Sequence, residues 1–305
     1  MELAPDFSFQ PLPAVTGAAA VPFPDAANPL GPLAGLLASW SGTGFNVIWR
    51  PSSSAGQDHF LELNVTGDKI DFAGIPGPIP NRGFLQPDIS MFGLTYLQQV
   101  SDTNLHAGLH IEPGLWVAVP ATSNPKEGPT VARLASIPHG TTIVAQGTAT
   151  TTAGPPAIPP AGIKPFTIGQ PGQAIDFPEQ TLATASQFRT SGTGLAGITQ
   201  AMVNDPNNVL TAAIRGQHIE TTTTLRVATN DTPVPGGGTA STAFLKGTGR
   251  ANADPAIVTA TFWLETLQGE TGPTQLQYSQ TVLLHFNGLS WPHITVGTLR
   301  KAASS

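Results

Sequence analysis

Two histidines and a glutamate, His106, His110 and Glu112, form one group of potential metal ligands in this sequence. They are four and two positions apart, and because side chains alternate between the faces of a β-strand, all three would share one face. His110 and Glu112 would then stand ~7 Å apart at their Cα atoms, from a rise of ~3.4 Å per residue. Two histidines and a carboxylate can hold a divalent metal. No convincing further ligand is present, so a solvated or hydrogen-bonded face is the favoured interpretation.

Four other histidines offer less chemistry on sequence grounds. His139 lies in a Pro-His-Gly turn and is expected to be structural. His285 lies opposite the apolar face of its predicted strand and would face either solvent or a cavity. His59 and His218 have no visible partner in the sequence.

Several common catalytic chemistries are excluded by what the sequence lacks. The absence of cysteine removes disulfides, thiolate metal ligands and cysteine nucleophiles. No Gly-x-Ser-x-Gly elbow is present, and the glycines at 236–238 have no following lysine with which to bind phosphate. The acidic residues are too dispersed to indicate a catalytic carboxylate pair.

Charge also limits the possible partners. The chain has 13 basic and 19 acidic residues, a net charge of −6, and its lysines and arginines are scattered singly. This distribution predicts neither a nucleic-acid groove nor binding to an anionic membrane surface. The N-terminus has no positive region followed by a continuous apolar one, and no apolar run approaches the ~20 residues of a membrane span. We therefore predict a cytoplasmic protein.

The elements that position these residues are predicted to be mostly strands. The 33 glycines and 30 prolines disfavour long helices. One short helix is predicted, because Leu33, Leu36, Leu37 and Trp40 recur with the spacing of a single apolar helical face. The default role of Trp40 is packing in the core.

Alternation of apolar and polar residues predicts antiparallel strands with two unlike faces. It is clearest at 275–286, where Leu276, Tyr278, Val282 and Leu284 share a face. The predicted strands are 44–50, 59–65, 69–72, 92–100, 105–111, 115–119, 131–137, 142–148, 219–229, 243–247, 256–267, 275–286 and 293–299. Typical turn residues separate several of these strands, as in the turn predicted at 66–69. Many strands at hairpin spacing predict a barrel or a sandwich.

Two excursions interrupt this pattern. Residues 73–88 are rich in Pro and Gly and predict an ordered loop, and residues 149–217 form a long excursion with a short helix near 209–214. Residues 1–28 predict an extended arm. We predict that residues 29–305 form a single barrel domain, and a two-domain split within the linker-like start of the long excursion is the alternative.

Residues 32–44 resemble the opening of the nitrobindin family, whose members have a short Leu-rich helix followed by a Gly-x-Trp-x-Gly-x-Gly pattern. Trp40, Gly42 and Gly44 match this pattern, and Ala38 replaces its first glycine. Three further segments are similar to the family in the same order, at 109–116, 137–148 and 292–301. Family members are much shorter and lack counterparts to the two excursions.

The resemblance implies an all-β, roughly ten-stranded antiparallel barrel of the calycin or fatty-acid-binding-protein-like type, with Trp40 at its closed end. It also implies haem b in the barrel mouth, held by His293 on the closing strand. A neutral imidazole nitrogen can hold ferric iron. If His293 is not the ligand, His110 is the next candidate.

The sequence thus predicts a β-barrel that binds a small apolar molecule. One alternative is a haem-dependent enzyme in the same cavity, since the resemblance implies peroxynitrite isomerisation or a peroxidase-like activity. The other is a structural β-protein whose interior is filled by side chains. The apolar molecule of the first hypothesis is haem or another small ligand, and a Soret band in the purified protein would separate the first two hypotheses from the third.

Overall fold

Ten long strands form a closed antiparallel barrel in the computed structural model, which describes residues 28–53, 56–230, 236–246 and 252–303. The barrel strands β1 to β10 are, in chain order, Ser39–Pro51, His59–Gly74, Ile89–Asp102, Ala107–Val119, Thr130–Ile137, Thr141–Ala153, Ile219–Ala228, Asp254–Leu267, Gln275–Phe286 and Leu289–Lys301. The predicted fold class is confirmed. The predicted arm, apart from Asn28, lies outside the described residues.

Each strand pairs with the next one along the chain, and β10 pairs with β1 to close the barrel. The closing register runs from Trp40 opposite Lys301 to Ile48 opposite His293. Successive side chains on a strand point to opposite faces of the sheet. The alternation that predicted the strands therefore divides their residues between the barrel interior and its outer surface.

Shorter elements connect the barrel strands. The short strands are Ile79–Asn81, Thr122–Ser123, Lys126–Glu127, Phe166–Thr167 and Gly238–Ser241. The 3-10 helices are Gly31–Leu36, Pro178–Gln180 and Gly192–Leu195, and the α-helices are α1 (Gln200–Asn204), α2 (Asn208–Ala213) and α3 (Ala243–Lys246). Across the described ranges, no helix has the length and apolar character needed to cross a membrane.

The end of the barrel next to Trp40 is closed. The helix predicted before Trp40 is present as the 3-10 helix Gly31–Leu36, whose Leu33 and Leu36 are fully buried. Trp40 is also fully buried, and its indole Nε1 donates a hydrogen bond to the carbonyl oxygen of Leu36 at 2.7 Å. Proline at the start and glycine within this segment suit a short turn held by packing rather than a longer α-helix.

In two places, two strands predicted separately form one continuous strand in the structure. The prediction of a turn at 66–69 was wrong, because these residues pair with β1 on one side and β3 on the other. The break predicted between 111 and 115 is likewise absent. Pro113 fits within β4 because pairing with β5 begins only at Gly114, so no bond across that junction needs its missing N–H.

The strand predicted at 243–247 was also wrong. Residues 243–246 form α3, which follows the short strand Gly238–Ser241. Thr242 donates its backbone N–H to Gly140 at 2.8 Å and accepts from the backbone N–H of Lys246. The segment therefore leaves the sheet at Thr242 and turns into a helix near the open end of the barrel.

The long excursion packs against the outside of the barrel. It begins after Ala153, because β6 extends five residues beyond the predicted boundary. Trp49 on the outer face of β1 is fully buried, and its Nε1 donates to the carbonyl oxygen of Ile163 at 2.9 Å. Phe45, Val47 and Leu63, also fully buried, belong to the same hydrophobic core as Val203 and Leu210 of the excursion.

The excursion also covers a strand edge. Pairing between β2 and β3 spans residues 66–74 of β2, so residues 59–65 extend past the end of β3. Leu61 accepts a backbone hydrogen bond from Thr190 at 3.0 Å and donates one to Phe188 at 2.9 Å, and the N–H of Leu63 donates to Thr190 Oγ1 at 2.8 Å. The excursion thus satisfies backbone groups that would otherwise form an open edge.

Candidate functional site

A cavity of about 320 Å³ lies inside the barrel at the end opposite Trp40. This volume is at the low end of the range for small-molecule pockets, ~300–1,000 Å³. The apolar part of its wall includes Ile48, Val100, Ile137, Val282 and Leu284. The polar part includes Asn46, Gln98, His110, Tyr278, Gln280 and His293. A mainly apolar wall with a few converging polar groups is typical of a ligand site.

His293, on β10, lines this cavity and is joined to β1 by hydrogen bonds. Its Nε2 lies 2.8 Å from Asn46 Oδ1, which also accepts from Thr295 Oγ1 at 2.8 Å. Asn46 donates to Asn64 Oδ1 at 2.9 Å, and Asn64 donates to Asp102 Oδ2 at 2.8 Å. The Asp102 carboxylate can only accept hydrogen bonds, so the amide of Asn64 donates to it and the amide of Asn46 donates to Asn64. The oxygen of Asn46 is then left to accept from His293, which therefore carries its proton on Nε2.

This direction fixes the tautomer of His293. Burial lowers its pKa to about 3, and His110 and His139 act in the same direction. The ring is therefore neutral at pH 7, with its proton on Nε2 and a lone pair on Nδ1. Nδ1 has no hydrogen-bond partner in the described part of the chain, and the half-buried ring lines the cavity. His293 thus offers the cavity a nitrogen lone pair.

Glu112, fully buried on β4, is the centre of a second network. It accepts hydrogen bonds from the Tyr96 hydroxyl and the Arg133 guanidinium, and His110 Nε2 lies 3.1 Å from its Oε2. Burial opposes ionisation of Glu112, but the charge of Arg133 and the hydrogen bond from His110 outweigh it and lower its pKa to about 2. Burial likewise opposes the charge of Arg133, yet Glu112 raises its pKa. Both groups are therefore charged, and each neutralises the other.

Asp68 forms a third polar centre beside the cavity. It accepts a hydrogen bond from the Tyr278 hydroxyl and lies 3.4 Å from Gln98 Nε2. Burial raises the pKa of Asp68 to about 6, although the bonds from Tyr278 and Gln98 lower it in part. At pH 7 most molecules therefore carry a carboxylate here.

The structure brings His110 and His293, the two residues proposed as haem ligands, to the same cavity. The ring of His110 also lies 5.4 Å from that of His139, which was expected to be purely structural. His106 is separated from them, because it lies exposed in the β3–β4 turn with a φ of 54°. Within the described ranges there is no group of three or more histidines and carboxylates arranged to hold a metal ion. The divalent metal site has no support.

His59 and His285 lie away from the cavity. His59 packs with its ring centroid 5.5, 4.7 and 5.0 Å from those of Trp49, Phe177 and Trp291. It therefore belongs to the contact between the barrel and the excursion. His285 is half-buried, and burial lowers its pKa.

The polar residues around the histidines were not identified from sequence. Gln98, Gln280 and Arg133 each stand at an inward position of a strand, where apolar residues are the norm. Gln280 lies between Tyr278 and Val282 on the face predicted to be apolar. Such a polar residue inside an apolar alternation is the signal that could have marked the site.

Haem fits this site only in part. The neutral imidazole of His293, with Nδ1 open, is a suitable iron ligand. The cavity volume of about 320 Å³ is near the minimum for drug-sized ligands, and a porphyrin is larger than most of these. The nitrogen of His293 therefore suits haem iron, but the cavity is too small for the whole porphyrin. A bound porphyrin would have to extend out of the mouth of the barrel.

Comparisons with known proteins add little to this geometry. No protein-family model matches the chain, and no curated protein matches it. Among solved structures, the crystal structure of Rv2717c from M. tuberculosis is 15% identical, and the alignment covers 92% of this chain and all of that one with a TM-score of 0.44. Similarity at this level supports no conclusion about function, which must be argued from the cavity itself.

Proposed function

We propose that this barrel binds a small, largely apolar molecule in the cavity at its open end. The observation that carries the proposal is the cavity of about 320 Å³ within a barrel that is otherwise packed with large side chains. Tightly packed interiors rarely leave spaces larger than a water molecule, so a space of this size favours a ligand over a filled core.

The test uses N-phenyl-1-naphthylamine, a neutral dye whose fluorescence rises in apolar surroundings. We expect the protein to enhance its emission and Val282→Trp, which fills the cavity from inside, to abolish the enhancement. Leu283→Trp is the matched control, because Leu283 is the next residue of β9 and lies on the outer face. Equal enhancement by both variants would contradict binding in the cavity.

Haem is the second candidate, favoured by the open Nδ1 and neutral ring of His293. In this role His293 would supply the axial nitrogen, and the apolar wall would contact the porphyrin. Haemin titration should give a Soret band that His293→Ala alters without changing the far-ultraviolet dichroism. No uptake by the wild type would exclude haem, and identical spectra for both proteins would move the ligand to another residue, with His110 next.

A further inference from the structure

The charges around the cavity are unbalanced. Arg133 is the buried arginine of the interior network, and its guanidinium is fully engaged by Glu112, Tyr96 and Gln280. At the mouth, Arg50 is paired with Glu62 at 2.8 Å. Each cation already has a carboxylate partner, so these two pairs add no net positive charge to the cavity.

Negative groups are in excess beside these pairs. Asp68 is 5% exposed and has only hydroxyl and amide partners, from Tyr278 and Gln98. No lysine lines the cavity in the part of the chain that the structure describes. A carboxylate placed here would lose its hydration without gaining a cation, which is strongly unfavourable.

The hydrogen-bonding groups left open toward the cavity include two acceptors. His293 presents the lone pair of Nδ1, because Nε2 donates to Asn46. Gln98 lines the cavity and directs its amide nitrogen to Asp68, and no described residue donates a hydrogen bond to its carbonyl oxygen. Gln280 offers an amide N–H, which is a neutral donor and does not balance a carboxylate.

We propose that the cavity selects an apolar molecule carrying an amine, which donates hydrogen bonds to His293 Nδ1 and Gln98 Oε1, and that it rejects carboxylates. This inference rests on the proposed binding function. The acceptors match the N–H groups of the amine, and the unpaired charge of Asp68 favours a positively charged head group.

The test compares four probes that share one naphthalene ring, using isothermal titration calorimetry at pH 7. These are 1-naphthylmethylamine, 1-naphthylmethanol, 1-naphthoate and (1-naphthylmethyl)trimethylammonium. We expect the amine to bind at least tenfold more tightly than the naphthoate. It should also bind at least tenfold more tightly than the trimethylammonium compound, which keeps the charge but has no N–H group.

Equal or tighter binding of the naphthoate would overturn the inference and leave the binding function intact. Equal binding of the amine and the trimethylammonium compound would overturn the assignment of hydrogen bonds to His293 and Gln98. If none of the four probes binds and the neutral dye also fails to bind, the binding function itself is wrong.

A variant tests the role of charge directly. Glu112→Gln leaves Arg133 without its counter-charge, and we expect naphthoate binding to strengthen at least tenfold. An unchanged preference for the amine over the naphthoate in the folded variant would overturn the charge argument.

Because breaking a buried ion pair can prevent folding, His293→Phe provides a second test. It keeps a flat ring, while Thr295 still donates to Asn46. The preference for the amine over the trimethylammonium compound should then fall at least fivefold, and an undiminished preference would contradict the proposal.

Discussion

Asn46 Oδ1 lies 2.8 Å from His293 Nε2, and this contact crosses the seam at which β1 and β10 close the barrel. The orientation of His293 in the cavity is therefore set by the same pairing that completes the fold. The bonds continue through Asn64 to Asp102, so the carboxylate of β3 determines which nitrogen of a histidine on β10 carries the proton.

Replacing the amide partner with a carboxylate should make His293 titrate. In the wild type the pKa of His293 is about 3, because burial disfavours the charged ring. In Asn46→Asp, an adjacent negative charge should raise it by ~1–3 units. The measurement is ¹⁵N-resolved NMR of the imidazole from pH 4 to pH 8, in which the wild-type ring stays neutral throughout. Thr295→Val is the control, since it removes a neighbour without adding charge, and unchanged titration in Asn46→Asp would show that Asn46 does not govern the ring.

Glu265, fully buried near the closed end, should make the protein more stable toward acidic pH. Burial raises its pKa to about 7, although the hydrogen bond from Gln275 lowers it in part. Because the folded state holds this proton more tightly than the unfolded state, the stability contribution is complete below pH ~4.5 and is lost as pH rises through 7.

Glu265→Gln removes this titration. Gln275 Oε1 has no partner in the described residues. The side-chain amide of Gln275 can therefore rotate so that this oxygen accepts a hydrogen bond from the amide N–H introduced at position 265. We expect the variant to match the wild type near pH 4.5 and to exceed it by about 1–3 kcal/mol at pH 8 in urea unfolding. Glu270→Gln, in an exposed hairpin, is the control. An equal gain at both pH values would rule out the titration of Glu265 as the cause.

Trp40→Ala should cost ~3–5 kcal/mol of unfolding free energy, because the ring is fully buried and its loss leaves a cavity at the closed end. The measurement is chemical denaturation followed by far-ultraviolet dichroism. Phe84→Ala is the matched control, since Phe84 is 97% exposed and its loss should change stability by less than ~0.5 kcal/mol. A cost for Trp40→Ala within that limit would place the indole outside the core.

Proteinase K, which accepts most sequences, should cut the described part of the chain first next to Phe84 or Leu85. These side chains are 97% and 68% exposed in the loop between β2 and β3. Exposed loop tips are the preferred sites of nicking. The linker-like start of the excursion is the other candidate for cleavage, but it is held by the N–H of Ala161 donating to Asp205 Oδ1 at 2.9 Å and by Asn207 Nδ2 donating to Pro159 at 2.6 Å. Mass spectrometry of early fragments would distinguish the two, and initial cleavage at 154–161 would contradict the structure.

The strands could be predicted because their alternation is local. Leu276, Tyr278, Val282 and Leu284 follow one another at period 2, and the structure places the last three on the cavity wall. The turn predicted at 66–69 failed for a non-local reason. Its Gly and Asp are typical turn residues, but pairing with strands on both sides holds the segment extended.

The sequence could identify individual histidines of the site but not the residues that surround them. His293 was identified by a resemblance at the closing strand, and nothing in its neighbourhood indicated Asn46, which lies 247 residues earlier in the chain. The same applies to Glu112 and Arg133, whose pairing depends on which strands become neighbours. Long-range contacts of this kind leave no periodic signal in the sequence.

The seam between β1 and β10 also has a consequence for folding kinetics. The seam pairs Trp40 with Lys301, near the two ends of the barrel sequence, so it closes after the strands between them have paired. Contacts of such high sequence separation are associated with slow folding, because loop-closure entropy is lost before they stabilise the structure. Until then both strands are edges that can pair with another molecule. Refolding should therefore be most efficient at low protein concentration, where closure within one chain competes best with aggregation.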